Sequence, residues 1–311
     1  MVTVEHGFGA FLTSVFHPLS YAKFLIQIGH EPMKLYQTRT FTGKPMLAYP
    51  SVFRYIGHIY HVDGFFGLYK GLVPKVLAGA AGSIIQNKIL LSLKSNEDTD
   101  VNGDESDEET LADSNQDDDA DVVIALKKLS KIISKQLVAR SVAIIATHPL
   151  QVIMARNMAQ FVGREKEYSG IISAAMEILK VDGPSGFFGG LVPRLLGDSI
   201  NLASTSILTY ILNKYIIQDK KVSVYTAAFV GLLVNQLTYP FGLVSVVMMV
   251  NGSGLIAAMP PNMPFYRSWV DCWNHLSSIV SSCIHFIYKR NSSNFLSFIS
   301  STLSLVLPVT E

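Results

Sequence analysis

Residues 63–75 read Asp63-Gly64-Phe65-Phe66-Gly67-Leu68-Tyr69-Lys70-Gly71-Leu72-Val73-Pro74-Lys75. Residues 182–194 read Asp182-Gly183-Pro184-Ser185-Gly186-Phe187-Phe188-Gly189-Gly190-Leu191-Val192-Pro193-Arg194. Both strings open on Asp-Gly, pass through a glycine-rich middle and close on Leu-Val-Pro and a cation. Self-similarity of this kind marks an internally repeated architecture. Upstream of each stands a His-Pro-Leu element, His17-Pro18-Leu19-Ser20-Tyr21-Ala22-Lys23 and His148-Pro149-Leu150-Gln151-Val152. The two prolines lie 131 residues apart, or 104 once the 27-residue acidic stretch 95–121 is set aside. A partial third copy begins at Tyr239-Pro240-Phe241, 91 residues after Pro149. Each unit reads as an apolar helix with a proline near its C-terminal end, where the lost backbone hydrogen bond kinks the helix. A glycine-rich turn, an amphipathic segment and a second apolar helix follow.

Composition places these units in a membrane. Of 311 residues 49% are hydrophobic and 16% charged, with mean hydropathy +0.31, against about 25% charged in soluble domains. Five apolar stretches run roughly 7–29, 71–93, 136–155, 191–217 and 222–250, and Val224–Val250 carries no charge over 27 residues. A span needs about 20 residues. The charges are segregated: 95–121 holds thirteen acids and no Lys or Arg, leaving 11 acids against 25 bases, a net of +14, elsewhere. A basic membrane body favours anionic headgroups or acidic partners. The acidic stretch, polar and without an aromatic residue, reads as a disordered loop that can also serve for docking. Cys272 and Cys283 fit neither a metal nor a redox spacing. No base precedes Lys23, and Glu5 lies upstream of it, which argues against a secretory or Arg-rich transit signal.

Polar residues within the apolar stretches fall at helical spacing, so each stretch carries a polar stripe. The stripes are Thr13, His17, Ser20, Lys23 and Gln27; Ser83, Gln86, Asn87 and Lys88; Gln136, Arg140, Thr147 and Gln151; Asp198, Asn201, Thr205 and Thr209; Asn235, Gln236 and Tyr239. An ionisable group at mid-bilayer costs at least about 2.5–3.5 kcal/mol, so Lys23, Arg140 and Asp198 are expected to face water or a partner. The amides and hydroxyls have a second reading as interhelical hydrogen bonds, about 0.6–2 kcal/mol each.

The repeat resembles that of the mitochondrial carrier family: a kinked helix with P-x-[DE]-x-x-[KR], a short surface helix, an acidic-Gly turn and a second helix. Tyr168-Ser169-Gly170 and Tyr266-Arg267-Ser268-Trp269-Val270-Asp271-Cys272 are similar to the family's surface-helix starts. The resemblance covers about 1–275 and implies an all-α integral membrane protein, a carrier-like helical repeat bundle of about five spans with the sixth carrier helix missing or degenerate. It divides the chain into repeat 1 (1–94), the acidic loop (95–121), repeat 2 (122–220), a partial repeat 3 (221–275) and a divergent tail (276–311). Pro18, Pro149, Pro240, Asp63, Gly64, Asp182 and Gly183 carry the structural motif.

The departures are as informative. The family's acid positions hold Ser20, Gln151 and Gly242, and its base positions Lys23, Met154 and Ser245. One base and no acid remain, so the salt-bridge ring that closes a carrier cavity cannot form. The strings HPLSYAKFLIQIGHEP (17–32), GLVPRLLGD (190–198), LTYPFGLVS (237–245) and SWVDCW (268–273) resemble the mitochondrial carrier homolog subfamily. That resemblance implies an outer-membrane location, insertion of α-helical and especially tail-anchored client proteins through a polar groove open to lipid, and pro-apoptotic partners. The groove is expected to be lined by Lys23, Gln27, Gln86, Asn87, Arg140, Gln151, Asp198, Asn201, Asn235 and Gln236. No covalent step is needed, so no catalytic residue, cofactor, metal or nucleic-acid partner is expected. Among soluble-enzyme signatures, no phosphate loop, nucleophile elbow or metal-ligand spacing is present. A solute carrier with an altered gate and a membrane scaffold or receptor are the competing readings.

Overall fold

The computed structural model describes residues 2–30, 32–33, 36–39, 45–48, 51–98, 119–215 and 220–290. Among them are nine α-helices: α1 (Val2–Val15), α2 (His17–Gln27), α3 (Val52–Gly67), α4 (Leu72–Asp98), α5 (Asp119–Ala159), α6 (Ile171–Val181), α7 (Leu191–Tyr215), α8 (Lys220–Val250) and α9 (Trp269–Arg290). Among the described residues four helical stretches are long and apolar enough to cross a bilayer: Leu72–Lys94, Lys127–Ala159, Pro184–Lys214 and Thr226–Val250. The shortest, 23 residues, is about 35 Å long at 1.5 Å per residue, enough for a hydrocarbon core of about 30 Å.

The three prolines act differently. At the first, the stretch expected to span over 7–29 is two helices meeting at Phe16 (φ −89°, ψ 5°). Pro18 has no N–H for the carbonyl four residues before it, and the helix resets two residues upstream of it. Pro149 and Pro240 lie inside α5 and α8, which run on for ten residues beyond each.

Repeat 1 also carries something the helical pattern did not announce. Pro18 and Asp63 are 45 residues apart, Pro149 and Asp182 only 33. In that longer connector sits an antiparallel hairpin, β1 (Tyr36–Arg39) paired with β2 (Pro45–Ala48), Gln37 opposite Leu47.

Two more expectations change. The ends of the stretch read as an acidic loop are helical, since α4 reaches Asp98 and α5 begins at Asp119; residues 99–118 lie outside the described residues. The C-terminal segment is also more regular than its sequence implied. The Ser268 hydroxyl accepts the Asp271 N–H at 3.2 Å, starting α9 as an N-cap does, and α9 crosses 275–276 unbroken to Arg290. The second apolar run, 295–307, lies outside the described residues.

The chain divides into two compact units, one of residues 1–80, 148–190 and 243–311, the other of residues 81–147 and 191–242. Unit one holds the main core, including Tyr21, Leu25, Ile59, Val152, Ile178, Val250 and Leu255. Its two Asp-Gly turns are built alike. Gly64 (φ 73°) and Gly183 (φ 68°) take the left-handed conformation that glycine tolerates. In both repeats the histidine before the proline then fastens the turn: His17 Nε2 is 2.9 Å from the Lys70 carbonyl, and His148 Nε2 is 2.9 Å from that of Gly189. A carbonyl only accepts, so both rings carry their proton on Nε2.

Unit two is built differently. Its helices bury little beyond Ala139, Ala143, Ile144, Val230 and Val234, and they expose Leu91, Val138, Leu196, Ile200, Leu232 and Leu237. Outward-facing apolar chains of this kind suit contact with lipid.

Candidate functional site

Within unit two, polar side chains meet at mid-span. Arg140 on α5 and Asp198 on α7 each lie about 20 Å along their membrane-length stretches and form an ion pair, Arg140 Nη2 to Asp198 Oδ1 2.8 Å. Their side chains remain 41% and 28% exposed. Arg194, one turn earlier on α7, brings its Nε to 3.9 Å from the other Asp198 oxygen, giving two cations around one carboxylate. On the same helix, Asn201 donates from Nδ2 to the Thr238 hydroxyl of α8 at 3.0 Å. α7 is thus tied to α5 by charge and to α8 by an amide.

The remaining polar positions of this unit are less enclosed. Asn235 and Gln236 are exposed about 14 Å into the uncharged part of α8, flanked by buried Val234 and Thr238. Gln86 on α4 is half-buried and Asn87 exposed. In hydrocarbon a polar group without a partner is costly. Lys23, Gln27 and Gln151 belong to unit one, where Lys23 is exposed and both glutamines are half-buried.

Unit one shows what became of the charged gate. The base position of the third repeat, Ser245, is buried and donates its hydroxyl to the Gly190 carbonyl at 2.8 Å. Gly190 (φ 76°) packs so closely that a Cβ there would stand 2.4 Å from the Ser245 carbonyl oxygen. The base position of the second repeat, Met154, packs in the same way against Gly71 (φ 79°), its carbonyl 3.3 Å from where a Cβ would be. Both former base positions are now backbone packing sites against the preceding repeat's turn.

Sequence reasoning missed the most buried charge. Arg156, 1% exposed, pairs through Nη2 with Asp182 Oδ2 and donates from Nε to the Met249 carbonyl at 3.2 Å. It therefore joins α5, the second Asp-Gly turn and the end of α8. In the first repeat Asp63 instead pairs with Lys70, seven residues away. A cation one residue beyond the apolar stretch ending at 155 was the available signal. Among the described residues no cluster of three or more His, Cys, Asp or Glu could hold a metal ion.

The sequence profile described as mitochondrial carrier protein matches residues 7–94 and 133–220. The chain belongs to the mitochondrial carrier family. It is 37% identical over 271 residues to mitochondrial carrier homolog 2 of Homo sapiens, covering 85% of this chain and 86% of that protein. It is 36% identical over 291 residues to mitochondrial carrier homolog 1 of Mus musculus, covering 86% and 71%. A more distant member, the chloroplastic nicotinamide adenine dinucleotide transporter 1 of Arabidopsis thaliana, is 31% identical over 157 residues, 49% of this chain and 42% of that one. The protein is a multi-pass mitochondrial membrane protein.

Proposed function

We propose that this protein is an insertase of the mitochondrial outer membrane for α-helical, tail-anchored proteins. The observation that carries the reading is the set of exposed polar groups at mid-span in unit two: the part-exposed Arg140–Asp198 pair and the open amides of Asn235 and Gln236. A tail-anchored client must bring a polar C-terminal end through hydrocarbon, at several kcal/mol for each unpaired polar group. A path lined by Arg140, Asp198, Asn201, Asn235 and Gln236, with Gln86 and Asn87 on α4, substitutes fixed dipoles and water for that loss. The client's apolar segment then leaves sideways into lipid. Alternating access of the carrier kind has no support here, because Met154 and Ser245 leave no cations to pair and Gln151 and Gly242 no acids. The similarity to mitochondrial carrier homologs 1 and 2 supports the outer-membrane placement, and pro-apoptotic partners belong to the same reading.

A photoreactive residue at Asn235 or Gln236, in protein reconstituted into liposomes, should cross-link the C-terminal end of a client during insertion. The same probe at exposed Val138 on α5, which lies two residues from Arg140 and so on nearly the opposite side of that helix, should not. Equal capture at all three positions, or capture at none while insertion proceeds, would remove the path from the account.

A further inference from the structure

A threonine inside a helix has a ready outlet for its hydroxyl, the carbonyl one turn back. Thr13, Thr147 and Thr238 use it, donating to the carbonyls of Gly9, Ala143 and Val234 at 2.8, 2.8 and 3.1 Å. Thr205 and Thr209 on α7 do not. Their hydroxyl oxygens, and that of the adjacent Tyr210, are enclosed and have no hydrogen-bond partner among the described residues. Enclosed polar groups without a partner are costly, and hydrocarbon offers them no substitute. Asn201 realises the interhelical bond that the sequence allows for these polar positions, by donating to Thr238; the next two positions of the stripe do not.

Helix geometry shows where the two threonines face. At about 100° per residue, Thr205 and Thr209 share one side of α7 with Asp198 and Asn201, within an arc of about 80°. Leu196, Ile200, Ile207 and Ile211, each 40–46% exposed, take the opposite side. The polar side looks toward α8, where a Cβ on Gly231 would lie 3.8 Å from Thr205 Cγ2. The joint between α7 and α8 is uneven. A Cβ on Gly197 would stand 2.7 Å from Phe241 Cβ, closer than side-chain carbons come, whereas at Gly231 the spacing is ordinary contact. The seam is therefore tight before Asn201 and looser at Thr205. Thr205 and Thr209 lie about 10–17 Å beyond Asp198 along α7, between the ion pair and the end of the membrane-length stretch at Lys214.

We infer that this half of the α7–α8 seam binds the main chain of a client's polar tail as the tail crosses. An extended tail carries N–H and C=O groups that hydrocarbon leaves unpaired. A hydroxyl both donates and accepts, so Thr205, Thr209 and Tyr210 serve either backbone group whatever side chains accompany it. The charged groups around Asp198 meet charge; the hydroxyls meet peptide. The seam parts at Thr205 while the Gly197–Phe241 joint holds. The inference rests on the insertase reading and adds to it the chemical feature that is recognised, backbone rather than sequence.

The test removes the three hydroxyls with little change of shape, as Thr205→Val, Thr209→Val and Tyr210→Phe together in the full chain. The variant is reconstituted into liposomes and scored for protease-protected insertion of two clients that share one apolar segment and carry a short or a long uncharged polar tail. Deleting enclosed hydroxyls that have no partner leaves no group unpaired, so the melting temperature should hold or rise. Insertion of the long-tailed client should fall several-fold against the parental protein, and that of the short-tailed client should hardly change. Thr238→Val, which breaks the bonds to Asn201 and Val234, is the structural comparison and should lower the melting temperature. Parental yields of both clients from the triple variant overturn the seam and leave the insertase reading standing. A triple variant that is destabilised, or that loses both clients equally, overturns it in favour of a structural role for the hydroxyls. No insertion by the folded parental protein overturns the insertase reading itself, and the seam with it.

Discussion

The Gly190→Ala substitution probes the joint between the second repeat's turn and α8, and its cost can be worked out. Gly190 has φ 76°, so any side chain there carries a left-handed penalty of about 1–2 kcal/mol. The new methyl would stand 2.4 Å from the Ser245 carbonyl oxygen and 3.1 Å from its carbonyl carbon. Those atoms are α8 backbone and cannot rotate away, so the turn must retreat by on the order of 1 Å. Retreat weakens two bonds, Ser245 Oγ to the Gly190 carbonyl at 2.8 Å and His148 Nε2 to the Gly189 carbonyl at 2.9 Å, at about 1 kcal/mol each. The sum is about 3–4 kcal/mol, a lowering of the melting temperature of roughly 6–8 °C for a chain of this size. Gly64→Ala is the matched control. Its φ is 73° and no atom lies within 4 Å of its Cβ position, so only the conformational penalty of about 1–2 kcal/mol applies, roughly 2–4 °C. Thermal unfolding of both variants in one detergent compares them directly. Equal shifts would refute the claim that close approach of α8, rather than backbone conformation, requires glycine at 190.

Asp182→Asn keeps the size of the side chain but leaves the Arg156 guanidinium, 2% exposed, without its counter-charge. Breaking a buried pair from one side costs about 3–5 kcal/mol, so the melting temperature should fall sharply, while Arg156→Leu with Asp182→Leu should recover part of the loss. A double variant no more stable than Asp182→Asn would argue that the charge is not the source of the cost. His30, just beyond α2, has its pKa lowered from 6.5 to about 4 by burial and by the neighbouring His58. Unfolded chains take that proton near pH 6.5 and the folded protein only near 4, so stability should decline as pH falls through this window. His30→Phe keeps the ring against Tyr55 and Phe161 and should flatten the decline; melting curves at pH 7 and pH 4.5 that change equally in both proteins would contradict the assignment.

How much of this was legible in the sequence follows from what each feature depends on. The repeat was readable because its signals are local: Asp63-Gly64 and Asp182-Gly183 mark turns that need a left-handed glycine, and Pro18 marks a break through its missing N–H. The hairpin was not, since two four-residue strands give too few alternations to register against the helical pattern around them. Arg140 and Asp198 were each visible as charges within apolar stretches, but their pairing spans 58 residues of chain and depends on how α7 meets α5. Arg156 escaped because hydropathy treats a cation as the end of a buried segment; Asp182 and the Met249 carbonyl help to make its burial tolerable. The exposure of Asn235 and Gln236, on which the proposed path rests, is set by packing and has no sequence signature beyond their polarity.

The central claim meets its most direct test in protease-protected insertion of a purified tail-anchored protein into liposomes with and without this protein, and with Asp198→Arg or Lys23→Glu in its place. The account predicts a clear gain in protected client with the parental protein and an altered yield with Asp198→Arg, which crowds a third cation around Arg140 and Arg194. No gain from correctly folded parental protein, or the parental yield from both variants, would contradict it.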